Sequence, residues 1–169
     1  VDTYKLYSSI DGKVQEAIKA GKNYGPVLEG ETWKASYLVS DVTAPATFEF
    51  EVATVSNIIE ANELVETLKA NGGDFTKLET AVDVANETRE MVKMNESDAK
   101  NFIGKKVGDI FAYTYNHKPA VVKITKLGDS DRFVLVANIE KSVKASELTN
   151  RNIVNNVEKF IQAAGNTVE

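Results

Sequence analysis

Few side chains in this 169-residue chain could do chemistry, and their spacing narrows what that chemistry is. The one histidine, His117, sits in Asn116-His117-Lys118-Pro119, and there is no cysteine. A lone imidazole with polar neighbours and a proline two residues on reads as an exposed turn residue, not a catalytic base. His117 has no second histidine or cysteine to complete a coordination shell, and the lack of cysteine excludes disulfides, thiolate chemistry and cysteine-based zinc sites. "GDSD" at 128–131 suggests a calcium loop but lacks the further spaced ligands and closing glutamate, so it reads as a hairpin turn. "NGGD" at 71–74 has no following Lys-Ser or Lys-Thr to hold a phosphate, and reads as a helix stop and restart. No cofactor, metal ligand or catalytic residue is assigned.

The remaining candidates are apolar or aromatic. Met91, Met94 and Phe102 could line a groove for apolar side chains, because methionine adapts to varied partners, or could pack a core. Phe111, Tyr113 and Tyr115 alternate, so on a strand they share one face, either as a strip for extended polypeptide or as hairpin packing. These six are the candidate polypeptide-binding residues.

The elements that must position them follow from periodicity. Residues 11–20 put Val14, Ala17 and Ile18 on one helical face, with Gly21 to end the helix. Residues 31–42 and 47–55 are rich in β-branched and aromatic types and read as strands around a turn at Pro45. Asn57 and Glu60 have capping-box spacing, and Ile58, Ala61, Leu64, Val65 and Leu68 repeat at helical intervals up to Gly72-Gly73. A shorter helix is expected over 74–81 with Phe75 and Leu78 inward, and 82–94 reads as extended. Ser97 is expected to cap a brief helix ending at Ile103. Strands follow at 110–115 and 120–126, around an Asn-His-Lys-Pro turn, and a long one starts at Arg132. The last helix opens at Ser146, with Ile153, Val154, Val157, Phe160, Ile161 and Ala164 as one stripe, and closes at Gly165. Strands first and last with helices between predict an α+β fold with a mostly antiparallel sheet.

One phrase occurs twice. "GKNYGPVLEG" from Gly21 and "GKKVGDIFAY" from Gly104 each follow a short helix and lead into a strand, a turn and a second strand. Composition limits the partners. With 43% hydrophobic residues the chain can build a core, and a net charge of −5 with both signs interspersed argues against nucleic acid. No apolar run reaches the roughly 20 residues that span a bilayer. The abrupt start at Val1 and the stop at "GNTVE" suggest a segment of a longer protein, so any membrane anchor is expected outside this chain.

Residues 46–129 resemble a parvulin-type peptidyl-prolyl isomerase domain, as found in periplasmic folding factors of the PpiD and SurA type. The resemblance rests on an opening strand, on "IIEANELVETLKANGGDFTKL" with its "GGDF" phrase, and on the closing "IGKKVGDIFAYTYNHKPAVVKITKLGD". The flanks "YGPVLEGETWKASYLVSDVTAP" and "VANIEKSVKASELTNRNIVNNVEKFIQAAGNTVE" are similar to segments around the isomerase domain in PpiD-like proteins of Bacteroidetes type. It implies a parvulin-like (FKBP-like) antiparallel sheet with helices over 46–129, inserted into a smaller α+β terminal subdomain of 1–45 and 130–169. The doubled phrase then marks the closing half of one such unit followed by a complete one. It also implies a proline pocket with a methionine and a phenylalanine near Met91, Met94 and Phe102.

The departures bear on activity. Active parvulins carry a histidine in the first strand and another in the last, with an acidic residue or cysteine between them. Here "FEVATVS" offers Ala53 or Thr54, "AVVKIT" offers Ala120, and the "GGDLG" segment is missing between Asp83 and Glu90. An isomerase must lower a barrier of roughly 18–20 kcal/mol by stabilising a twisted amide, which these side chains cannot do. The expected role is a non-catalytic chaperone or scaffold module for unfolded or nascent envelope proteins in the periplasm. An active isomerase and a structural spacer of a surface protein are the alternatives.

Overall fold

The computed structural model describes residues 3–143. The helix expected from Ser146 lies outside the described residues. The fold is α+β, with two four-stranded antiparallel sheets and three α-helices among those residues. In chain order the elements are β1 (Lys5–Leu6), α1 (Gly12–Lys19), β2 (Tyr24–Glu29), β3 (Thr32–Pro45), β4 (Thr47–Thr54), α2 (Ile58–Ala70), β5 (Val84–Glu90), α3 (Glu96–Phe102), β6 (Ile110–Tyr115), β7 (Lys118–Leu127) and β8 (Ser130–Ser142). They form two compact units, one of residues 3–42 with 132–143, the other of residues 43–131.

In the first unit the sheet order is β1-β8-β3-β2, so the two long strands lie side by side although about ninety residues separate them in the chain. Both are apolar enough to need cover, and each supplies half of the other's ladder. Polar side chains tie the sheet together: Ser36 Oγ donates to Asn138 Oδ1 at 2.6 Å, and Tyr4 Oη donates to Ser40 Oγ at 2.8 Å. Arg132 grips Asp41 with Nε at 3.0 Å and Nη2 at 2.7 Å while its guanidinium lies 3.8 Å from the centre of the Tyr7 ring. This fork holds the Asp41 carboxyl below its ordinary range. Asp11 caps α1, accepting from the Lys13 amide at 2.8 Å.

The doubled phrase builds the same turn twice. Gly21 and Gly104 have φ of 72° and 88°, and Gly25 and Gly108 have φ of 78° and 92°, in the left-handed region where side chains are disfavoured. At Gly25 a Cβ would also collide with the carbonyl oxygen of Lys34, so β2 can approach β3 only through a glycine. Each phrase leads from helix to hairpin, α1 to β2–β3 and α3 to β6–β7.

In the second unit the sheet order is β5-β4-β7-β6. α2 covers one face, packing Ala61, Val65 and Leu68 with Phe75 onto Ala53, Ile110 and Val121. Its ends are secured: Asn57 accepts from the Glu60 amide at 2.9 Å, Glu60 accepts from the Ser56 amide at 3.0 Å, and Gly73 N–H returns to the Leu68 carbonyl at 2.7 Å in a Schellman closure. Lys123 on β7 donates to the Gly73 carbonyl at 2.8 Å, fixing that helix end to the sheet. The other face belongs to α3. Phe102 is fully buried there, its ring 5.2–5.7 Å from those of Phe48, Phe50, Phe111 and Tyr113.

Four expectations need correction. Residues 74–81 do not form a helix: a single 3-10 turn, Phe75–Lys77, is capped by Asp74, after which Leu78 is extended. Residues 79–81 are exposed, so no burial offsets the cost of nucleating a helix there. Asn95, not Ser97, caps α3, because its extended backbone lets the side chain accept from the Asp98 amide at 2.9 Å. Ile58 does not face the core and is 56% exposed in the first turn of α2. Residues 128–131 are no hairpin turn, since β7 and β8 belong to different sheets. Gly128 lies too close to Thr47 to admit a side chain, and its amide donates to the Thr47 carbonyl at 2.9 Å.

Two substitutions test this packing. Phe102→Ala should destabilise the second unit by about 3–5 kcal/mol, read as a fall in the urea midpoint of its amide exchange. His117, exposed in the β6–β7 turn with φ of 65° beside Asn116 at 50°, occupies a conformation suited to glycine. His117→Gly should raise the midpoint by an amount equivalent to roughly 0.5–1 kcal/mol.

Candidate functional site

The two positions that would carry histidine in an active parvulin are brought together by the sheet. Thr54 on β4 is the direct partner of Ala120 on β7, and Ala53 that of Val121. Ala53 and Ala120 are completely buried, and Thr54 is the only one of the three with a polar side chain. A methyl group can neither donate a hydrogen bond to a twisted amide nor carry a proton, so Ala53 and Ala120 act only by packing.

Ala53 faces α2, whereas Thr54 and Ala120 lie on the α3 face of the sheet, which is closed. Glu87, midway along β5, pairs with Phe50, and Tyr115, at the end of β6, pairs with Lys118, so they stand on the two outer strands of a four-stranded sheet. Even so, Tyr115 Oη donates to Glu87 Oε1 at 2.7 Å. The handed twist of a sheet curls its outer strands toward each other, and long side chains complete the bridge. Arg89 joins them, its guanidinium 5.9 Å from the Tyr115 ring centre. Under this closure Met91, Met94 and Phe102 are fully buried. Phe102 packs against Phe48 and Phe50, and none of the three presents surface to a peptide. Tyr113 is nearly buried, and only Phe111 and Tyr115 of the six candidates keep partial access. His117 stands apart in its turn.

The accessible feature lies at the sheet edge. β5 and β6 are the outer strands, and an outer strand presents unpaired main-chain groups to any extended chain. β5, with Glu87, Arg89 and Glu90 among its seven residues, is defended by charge. β6, Ile-Phe-Ala-Tyr-Thr-Tyr, carries no charge at all. Along its centre runs an open cleft of about 350 Å³, with Ala112, Tyr113 and Thr114 as floor, Ile58 of α2 on one side and Ser97, Asp98 and Asn101 of α3 on the other. Reading the sequence by stripe and strand missed Ile58, Asp98 and Thr114, because a cleft across an edge joins two helices and a strand distant in the chain. The one signal available was Ile58-Ile59, two large apolar residues in a row where a helix stripe accommodates one.

Asp98 sets the electrostatics of the cleft. Tyr113 Oη donates to Asp98 Oδ1 at 3.1 Å, while Lys100, the nearest cation along the helix, is held by Glu96 at 3.4 Å. Burial first, then the Asp98 carboxylate, pushes the Tyr113 phenol up to about 12. Tyr115 is raised as well, chiefly by its hydrogen bond to Glu87. In the first unit a cavity of about 260 Å³ lies between β1, α1 and β8, with Lys5, Asp11 and Val134 in its wall. Asp11 is already engaged there as the α1 cap.

Among the described residues no group of three or more His, Asp or Glu could hold a metal ion, and no helix is long and apolar enough to cross a membrane. No family model, curated protein or solved structure matches the chain.

The tyrosine that floors the cleft gives the fold an alkaline signature. The folded phenol holds its proton up to about 12, whereas an unfolded chain releases it near pH 10. Its contribution to stability is therefore complete below about pH 10 and is lost as pH rises through that window. Tyr113→Phe should flatten the decline of the urea midpoint between about pH 10 and 12. An unchanged slope would mean that the phenol is not held in this way.

Proposed function

We propose that residues 43–131 are a degenerate parvulin-like domain that binds extended polypeptide without isomerising it, within a folding factor of the PpiD or SurA type. The opening strand and helix and the closing hairpin of this unit have the order that the resemblance implies. The envelope setting, with unfolded or nascent envelope proteins as clients, comes from that resemblance alone. The observation that carries the reading is the uncharged β6 edge lying open in the cleft between Ile58 and Asp98.

The mechanism is strand addition. An incoming chain hydrogen-bonds to the outer main-chain groups of β6, which gives affinity that tolerates many sequences, while its alternate side chains point to the two faces of the sheet. The aromatic face does not take part as a groove, since Phe102 and the methionines fill it. Catalysis is absent for a separate reason: with alanine at two of the three candidate positions and Thr54 as the only hydroxyl, nothing there stabilises a twisted amide.

Reduced, unfolded client protein at tens of micromolar should slow amide exchange in β6 and leave β5 unchanged. Thr114→Lys, which puts a charge on an exposed edge position, should keep the fold and weaken this binding about tenfold. Absence of binding at high micromolar client would favour the structural-spacer alternative. In a protease-coupled assay with X-Pro peptides the chain should show only the background rate, and His117→Ala should alter neither that rate nor the fold.

A further inference from the structure

The two walls of the β6 cleft differ in chemistry, and a strand bound there is read on both sides at once. Residues facing Tyr113 project toward α3, and those facing Ala112 and Thr114 project toward α2, because side chains alternate across a sheet. On the α3 side the Asp98 carboxylate has one oxygen occupied by Tyr113; its other oxygen has no partner among the described residues. On the α2 side Ile58, 56% exposed, offers an apolar surface. One residue pair further along β6 the sign reverses, for Lys105 Nζ lies 4.7 Å above the Phe111 ring on the α3 side.

We infer that the cleft selects an extended segment of another polypeptide in which a lysine or arginine is flanked on both sides by apolar residues. This rests on strand addition at β6 and goes beyond it by fixing register. The basic residue sits opposite Tyr113 and reaches Asp98, and its two neighbours turn to the other face, where one covers Ile58. The position opposite Phe111 rejects a second base, because Lys105 is already there. A second copy of this chain is a poor occupant, since its own β6 is flanked by the same two helices and the walls would meet before the edges. Charge complementarity, with Asp98 as the unpaired carboxylate of the cleft and a chain of net charge −5, favours the basic strand.

The test uses the whole chain and fluorescein-labelled heptapeptides, Thr-Thr-Val-Lys-Val-Thr-Thr and its versions with Gln or Glu at the centre, followed by polarisation at low salt. The lysine peptide should bind about fivefold more tightly than the glutamine one, and the glutamate peptide more weakly than both. Asp98→Asn keeps an acceptor for the Tyr113 hydroxyl but removes the charge, so it should erase the lysine preference while the glutamine peptide binds as before. Ile58→Ser should weaken all three alike. Equal binding of the lysine and glutamine peptides, or a preference that survives Asp98→Asn, overturns the selectivity while leaving strand addition intact. Failure of every peptide to bind overturns strand addition itself. Concentration-dependent dimerisation that protects the β6 amides would make a second copy the occupant and also overturn the inference.

Discussion

The second unit is organised around one side chain. Phe102, in the last turn of α3, touches four aromatic rings from β4 and β6 at 5.2–5.7 Å, and every offset is tilted or edge-on, the arrangement that ring quadrupoles favour. That contact fixes how close α3 lies to the sheet, and so where Asp98, one helical turn earlier, stands relative to Tyr113. Met91 and Met94 are buried in the same unit. The cleft at the sheet edge exists because α3 is held down by Phe102 on one face and α2 by its own apolar stripe on the other, with β6 between them.

The sheet of the second unit is packed on both faces. Ala53 and Ala120 contribute methyl groups to buried positions, and the long side chains of Glu87, Arg89 and Tyr115 meet above the α3 face. The two edges differ: β5 carries charged residues, and β6 carries none and borders a cleft between α2 and α3.

The strands and helices were legible where a local rule acts alone. The capping box at Asn57 and Glu60, the Gly72-Gly73 stop and the alternation of Phe111, Tyr113 and Tyr115 depend on neighbours within a few residues, and each appears as read. The doubled Gly-Lys phrase was legible for the same reason, since a positive φ is a demand on one residue type at one position. Local reading failed at Asp74, where the residues after Leu78, 79–81, are exposed and the chain is extended instead, and at residues 128–131, where a turn signal cannot say which sheet receives the next strand.

By itself the sequence determined the absence of thiol and imidazole-pair chemistry, the α+β class and the places where the backbone must turn, because composition and short-range sterics decide these. Whether Met91, Met94 and Phe102 line a groove or fill a core was left open by residue type, since either use buries the same apolar surface. Tertiary structure decided for the core, through the closeness of α3 to β4 and β6. It alone brought Ile58, Asp98 and Thr114 to one cleft, because their meeting depends on strand order and sheet twist, which are properties of long-range pairing and are written in no single stretch of the chain.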